Sequence, residues 1–150
     1  MIETLAKAPA FQAYAIACIV LSLNLIGLWV CSGVLRGKSR TAINAEDAPL
    51  FSANVADIDP PEVARALRAH RNAMATSVPF LVLGLVFVLA GGAYGLLVAV
   101  CVVFCAARII YSFAYVAHRQ PWRTISFTVG ELATVALIVA LAWKLFSTGG

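Results

Sequence analysis

The chain carries four apolar stretches, over about residues 8–35, 61–91, 93–117 and 123–146. Each meets or exceeds the roughly 20 residues that cross about 30 Å of hydrocarbon. Backbone N–H and C=O groups find no water there, so each stretch must satisfy its own polar groups as a helix. With 62% hydrophobic residues, 12% charged residues and a mean hydropathy of +0.91 over 150 residues, the composition lies outside that of an ordinary soluble domain. The expected fold class is an all-α membrane protein, a four-transmembrane-helix bundle occupying residues 1–150 as one domain. The N-terminus has neither a basic region ahead of a short apolar core nor a small-residue cleavage site, so the first stretch is read as a permanent helix and not a removable signal.

Charge sets the expected orientation. Of eleven basic residues, Arg36, Lys38, Arg40, Arg65, Arg68, Arg71, Arg108, Arg119 and Arg123 belong to the first loop, the third loop or adjoining helix ends, and only Lys7 and Lys144 lie at the other side. Positive charge inside then puts loops one and three in the cytoplasm of an integral, multi-pass protein. The net charge of +4 is this asymmetry, and it offers no nucleic-acid face. Richness in Ala and Val, with no recognisable retention signal, points to a bacterial inner membrane, with the endoplasmic reticulum membrane as the alternative.

Within the second stretch, Arg65 to Phe80 reads RALRAHRNAMATSVPF, a basic helical start that runs into apolar helix without a turn signal. At about 100° per residue, Arg65, Arg68, Arg71, Asn72 and Ala75 fall within roughly a third of the circumference. Basic residues at a helix end often serve only as anchors. Anchoring, however, needs no angular arrangement, and three guanidinium groups with a carboxamide on one face form a candidate site for carboxylates or a polyanion. The short Gly91–Gly92 link makes helices two and three an antiparallel hairpin with no room for catalytic apparatus. On the third helix, Arg108, Tyr111, Ser112 and Tyr115 share a side. They read either as an interfacial aromatic belt with a snorkelling arginine or as lining of the same cavity.

The remaining polar features are fewer. Asn24 reads as interhelical glue rather than a ligand. The 25-residue first loop holds Asn44, Glu46 and Asp47 and is expected to be packed or functional. Asp59 is a candidate N-cap before Pro60 and Pro61. Arg123 and Thr124 stand at the mouth of the fourth helix, and Glu131, two turns deeper, is expected to pair with an arginine. Cys18, Cys31, Cys101 and Cys105 all lie inside apolar helices, where neither intrahelical pair suits a disulfide, and no Cys–His cluster has metal spacing.

At RALRAHRNAMATSVPF the sequence resembles the membrane-associated proteins in eicosanoid and glutathione metabolism, the MAPEG family, nearest its type 1 microsomal glutathione transferase and microsomal prostaglandin E synthase branch. Three further stretches agree in family order: Arg36 with Asn44, Glu46, Asp47 and Ala48; ARIIYSFAY from Ala107; and RTISFTVG from Arg123. The resemblance implies a homotrimer with glutathione held between neighbouring subunits at the cytoplasmic side. It assigns glutathione binding to Arg71, Asn72, Tyr115, Arg123 and Thr124, with Arg36 given across the subunit boundary and Arg68 and His70 in support. Asp47 matches an aspartate that pairs with the catalytic arginine in the prostaglandin branch. Ala75 replaces a glutamate of the family, and Tyr111 replaces a histidine. Phe127 agrees with the transferase branch, where the prostaglandin synthases have tyrosine.

A thiol of pKa about 8.5 is only a few per cent ionised near neutrality, so cationic donors that stabilise its thiolate accelerate attack. That work is expected of Arg123, assisted by the Thr124 hydroxyl. The expected function is transfer of glutathione to hydrophobic electrophiles that arrive from the bilayer between helices one and four, with peroxidase activity as an adjunct. The alternatives are a glutathione-dependent isomerase of lipid endoperoxides using Arg123 and Asp47, and a non-catalytic protein that binds anionic lipid or a partner.

Overall fold

A computed structural model describes residues 2–147. A short helix α1 (Ile2–Lys7) leads into α2 (Pro9–Ser39), whose first position is a proline, where a missing N–H costs nothing. Helix α2 continues four residues beyond the expected end at residue 35. It closes where Arg40 turns left-handed at φ 48°, its N–H capping the Arg36 and Gly37 carbonyls.

The first loop is more ordered than a run of turn residues suggests. Strand β1 (Thr41–Ala42) pairs in parallel with β2 (Asn54–Val55), Thr41 opposite Asn54, and the short helix α3 (Asp47–Phe51) connects them. Asp59 does not cap the next helix. Pro60 occupies the N-cap without a side-chain bond, and the Asp59 carboxylate instead accepts from Arg36, Nη2 at 2.7 Å and Nε at 3.2 Å. The end of the first membrane helix is thereby tied to the start of the second.

Three more long helices follow: α4 (Pro61–Leu89), α5 (Tyr94–Val116) and α6 (Trp122–Ser147). With α2 they make four helices long and apolar enough to cross a membrane. Helix α2 packs on α4 and α5, and α6 packs on α5 and α4, so α2 and α6 lie on opposite flanks of the α4–α5 pair. Small residues let the backbones approach. Ala66, Ala69, Ala73 and Ser77 are buried on α4, and a β-carbon on Gly84 would stand 3.2 Å from the Tyr14 ring of α2. The Phe80 and Phe104 rings stack at 3.9 Å between α4 and α5, with Leu21, Phe87, Leu97 and Leu137 around them.

At the far end the α4–α5 turn is tight. Gly91 takes φ +67°, and the Phe87 ring fills the space that a side chain on Gly92 would need. Outward-facing Ile16, Leu23, Val82, Val102, Leu132 and Val139 leave an apolar belt suited to lipid.

Candidate functional site

The α5–α6 connection and the first turns of α4 and α6 meet at one end of the bundle and enclose a cavity of about 230 Å³ lined by Arg65, Ala114, His118, Arg119, Gln120 and Arg123. His118 turns the chain with φ 58°, and its Nε2 lies 3.2 Å from Glu62 Oε2 at the start of α4. Arg65 Nη1 reaches back to the Tyr115 carbonyl at 3.4 Å. The half-buried Tyr115 ring meets two cations, with the Arg123 guanidinium carbon at 5.1 Å and that of Arg65 at 5.9 Å.

Gln120 joins Arg123 to Thr124. A guanidinium has donors only, so the carboxamide atom facing it is the oxygen. In that orientation the Gln120 oxygen accepts from Arg123 Nε at 3.1 Å and Nη2 at 2.8 Å, and its amide nitrogen donates to Thr124 Oγ1 at 3.1 Å. Thr124 is itself exposed. Sequence reasoning passed over Gln120 and Arg119. The available signal was a carboxamide three and four residues ahead of two donors, in the turn that enters α6.

The basic face of α4 is divided. Arg65 turns toward α5 and α6. Arg68, Arg71 and Ala75 are exposed on the open side of the chain, and among the described residues Arg68 and Arg71 have no hydrogen bond or ion pair. Asn72 lies between the two groups with its Oδ1 buried and unpartnered. His70 points the other way, its ring 5.6 Å from that of Trp29 on α2, so it stands apart from the guanidinium groups it was grouped with.

Arg108 does not line the cavity. It is fully buried beneath it, donating from Nη1 to Thr76 Oγ1 at 2.8 Å and from Nη2 to the Phe127 carbonyl at 3.2 Å. The rings of Tyr111, Phe127 and Phe104 surround its guanidinium at 4.9, 5.3 and 5.5 Å. The pairing of Glu131 with an arginine expected from sequence is absent among the described residues: Glu131 Oε1 and Arg108 Nε are both buried without hydrogen-bond partners. Tyr111 carries the link upward, its ring 5.5 Å from that of Tyr115. Arg108, Tyr111 and Tyr115 thus form a column that ends on the Tyr115 ring beside Arg123.

Arg36 and Asp47 lie elsewhere in the chain, beside a second cavity of about 240 Å³ with Arg40, Asn44 and the β1 backbone. Asp47 accepts from Asn44 Nδ2 at 3.0 Å. Asp47 and Arg123 therefore line different cavities of one copy.

Four helices long and apolar enough to cross a membrane, with guanidinium groups, a tyrosine and a carboxamide gathered at one end, define an integral multi-pass protein with a cationic pocket at one end of the bundle. The chain belongs to the MAPEG family, whose model matches residues 14–143. It is similar to the prostaglandin E synthase of Equus caballus, 30% identical over 136 residues that cover 90% of this chain and 89% of the relative. It is likewise similar to the prostaglandin E synthases of Macaca fascicularis and Homo sapiens, each 28% identical over 139 residues, 92% of this chain and 91% of the relative.

Proposed function

We propose that the protein is a glutathione-dependent membrane enzyme acting on apolar, lipid-like substrates, with Arg123 and Thr124 as the groups that stabilise the attacking thiolate. The observation that carries this reading is the cavity in which Arg65, Arg119 and Arg123 converge beside Tyr115. Glutathione presents two carboxylates, a thiol and an ammonium group. Arginine forks suit the carboxylates, and a cation beside the sulfur favours its ionised form. The unpartnered Asn72 Oδ1 is an acceptor suited to the ammonium group.

Two reactions fit this site. The relatives' name favours isomerisation of a lipid endoperoxide, the alternative in the sequence reading, over the conjugation expected first. In isomerisation the thiolate attacks one peroxide oxygen, forming an S–O bond as the O–O bond breaks; loss of the proton from the carbon bearing that oxygen forms the carbonyl and expels the thiolate, and the second oxygen, released as alkoxide, takes up a proton. Conjugation stands as the second reading on one observation: Phe127 brings a ring without a hydroxyl to Tyr111 and Arg108. Because α2 and α6 occupy opposite flanks, substrate entry between them would take two copies. That arrangement supports a homotrimer in which Arg36, and Asp47 toward Arg123, are supplied by a neighbour.

The test uses purified protein with glutathione and either a lipid endoperoxide or a chlorodinitrobenzene-type electrophile. Arg123→Ala should lower the rate by about 10²–10³, the scale for losing one donor to developing negative charge. Isomerisation leaves glutathione unconsumed, and conjugation consumes one thiol per product. Rates no higher than the spontaneous ones with both substrates, and no protection from heating by glutathione, would exclude the enzyme reading.

A further inference from the structure

We infer that Gln120 is a positioning residue that divides the work of Arg123 and Thr124, turning the remaining donors of both toward the sulfur of the bound thiol. The inference rests on the thiolate reading given above and extends it to a residue outside the set expected from sequence.

Arg123 Nε and Nη2 form the side edge of the guanidinium fork, the edge that takes a carboxylate with two parallel bonds. Here that edge is already filled by a single neutral oxygen, at 3.1 and 2.8 Å. The donors left to a ligand are at the Nη end, where a compact anion such as a thiolate sulfur is well served. A neutral partner matters as much as an occupied edge. It fixes the guanidinium plane and leaves the positive charge whole for the ligand.

The same side chain settles the role of the Thr124 hydroxyl. A hydroxyl has one hydrogen to give. Because the Gln120 nitrogen donates to Thr124 Oγ1 at 3.1 Å, the oxygen acts as acceptor toward Gln120 and its hydrogen is free to point elsewhere. One carboxamide therefore sets two donors by using its oxygen on the first and its nitrogen on the second. Only an amide performs both tasks. A carboxylate would neutralise Arg123 and draw the Thr124 hydrogen to itself, and an apolar side chain would do neither.

The two carboxylates of the ligand are left to the guanidinium groups whose forks remain open. Arg119, which lines the cavity with Arg123 and has no side-chain hydrogen bond among the described residues, is such a group.

The experiment compares wild type with Gln120→Glu and Gln120→Leu in the full-length membrane protein. Three measurements are made: glutathione binding by equilibrium dialysis, the ultraviolet thiolate band of the bound ligand, and steady-state kcat and KM for glutathione. In both variants glutathione should still bind with a KM within about threefold, while kcat and the thiolate band fall about tenfold or more, the scale of one misdirected charge-assisted bond. The fall should be larger for Gln120→Glu than for Gln120→Leu. A purely structural role would reduce binding and stability together and leave the thiolate band per bound ligand unchanged, which would overturn the proposal. Equal bands in all three proteins would do the same.

A fourth measurement needs no thiol. Solvent exchange of the Arg123 Nε–H, followed by nitrogen-edited nuclear magnetic resonance, should be slowed in wild type and released in Gln120→Leu. Fast exchange in wild type overturns the clamp even where glutathione binds. Slow exchange without any glutathione binding brings down the functional reading and leaves the clamp standing.

Discussion

The Arg108 guanidinium lies against the backbone of Gly130: a β-carbon on that glycine would come 2.8 Å from Nη2 and 3.1 Å from Nε. An exposed arginine would swing aside. This one is held by Thr76 and the Phe127 carbonyl and is walled in by three rings. Gly130→Ala is therefore expected to destabilise the bundle by about 1–3 kcal/mol, the range for overpacking. Thermal denaturation in detergent measures it, and an unchanged midpoint would show that Arg108 is loosely held.

Arg108 on α5 and Glu131 on the facing α6 carry opposite charges, and each leaves a polar atom buried without a partner. Removing one member strands the other charge in the interior, whereas removing both exchanges the pair for apolar packing. Arg108→Met leaves Thr76 Oγ1 and the Phe127 carbonyl without their donor and should cost about 1–3 kcal/mol, and Arg108→Met with Glu131→Leu should recover part of the loss. A double variant no more stable than Arg108→Met alone would show that the two charges are independent.

The Arg36–Asp59 pair is closer, at 2.7 Å, but its side chains are 36% and 20% exposed. Water and salt screen it, so Asp59→Asn is expected to change stability by about 1 kcal/mol or less. Its effect should fall on the first loop, where limited proteolysis between Arg40 and Asp59 should accelerate. A large drop in melting temperature with no change in loop cleavage would contradict this assignment.

Ala75 lies one turn beyond Asn72 on the exposed face of α4. A carboxylate there could meet the ammonium group of glutathione, and Ala75→Glu is expected to tighten binding by about 1 kcal/mol, close to fivefold. The competing partner is Arg71, one turn back on the same helix. Weaker binding in the variant would mean that Arg71, not the ligand, captures the new acid.

The four long helices were legible because hydrocarbon imposes a length and forbids unpaired backbone. The site was legible only in part. Angular spacing placed Arg65, Arg68, Arg71 and Asn72 together on one arc, but that arc straddles the border between the packed and open sides of α4, and periodicity does not mark where packing ends. Asp59 has the local look of a cap. Its partner Arg36 is twenty-three positions away, and no local rule brings it there. The β1–β2 pairing and the Gln120 bonds are likewise made by chain reversals whose geometry the sequence does not spell out. Arg108 has two readings in the sequence, a snorkelling arginine in an aromatic belt or a wall of the cavity. It lies below it because three aromatic rings and a carbonyl from α6 offer a better resting place than water at that depth.

The Phe87 ring, set where Gly92 would otherwise carry a side chain, closes the α4–α5 turn so tightly that lengthening it would unseat an aromatic of the core. The two poles of the molecule consequently differ in what they can tolerate. The α4–α5 pole is held by one tight turn, whereas the α2–α4 and α5–α6 connections at the other carry both arginine-lined cavities.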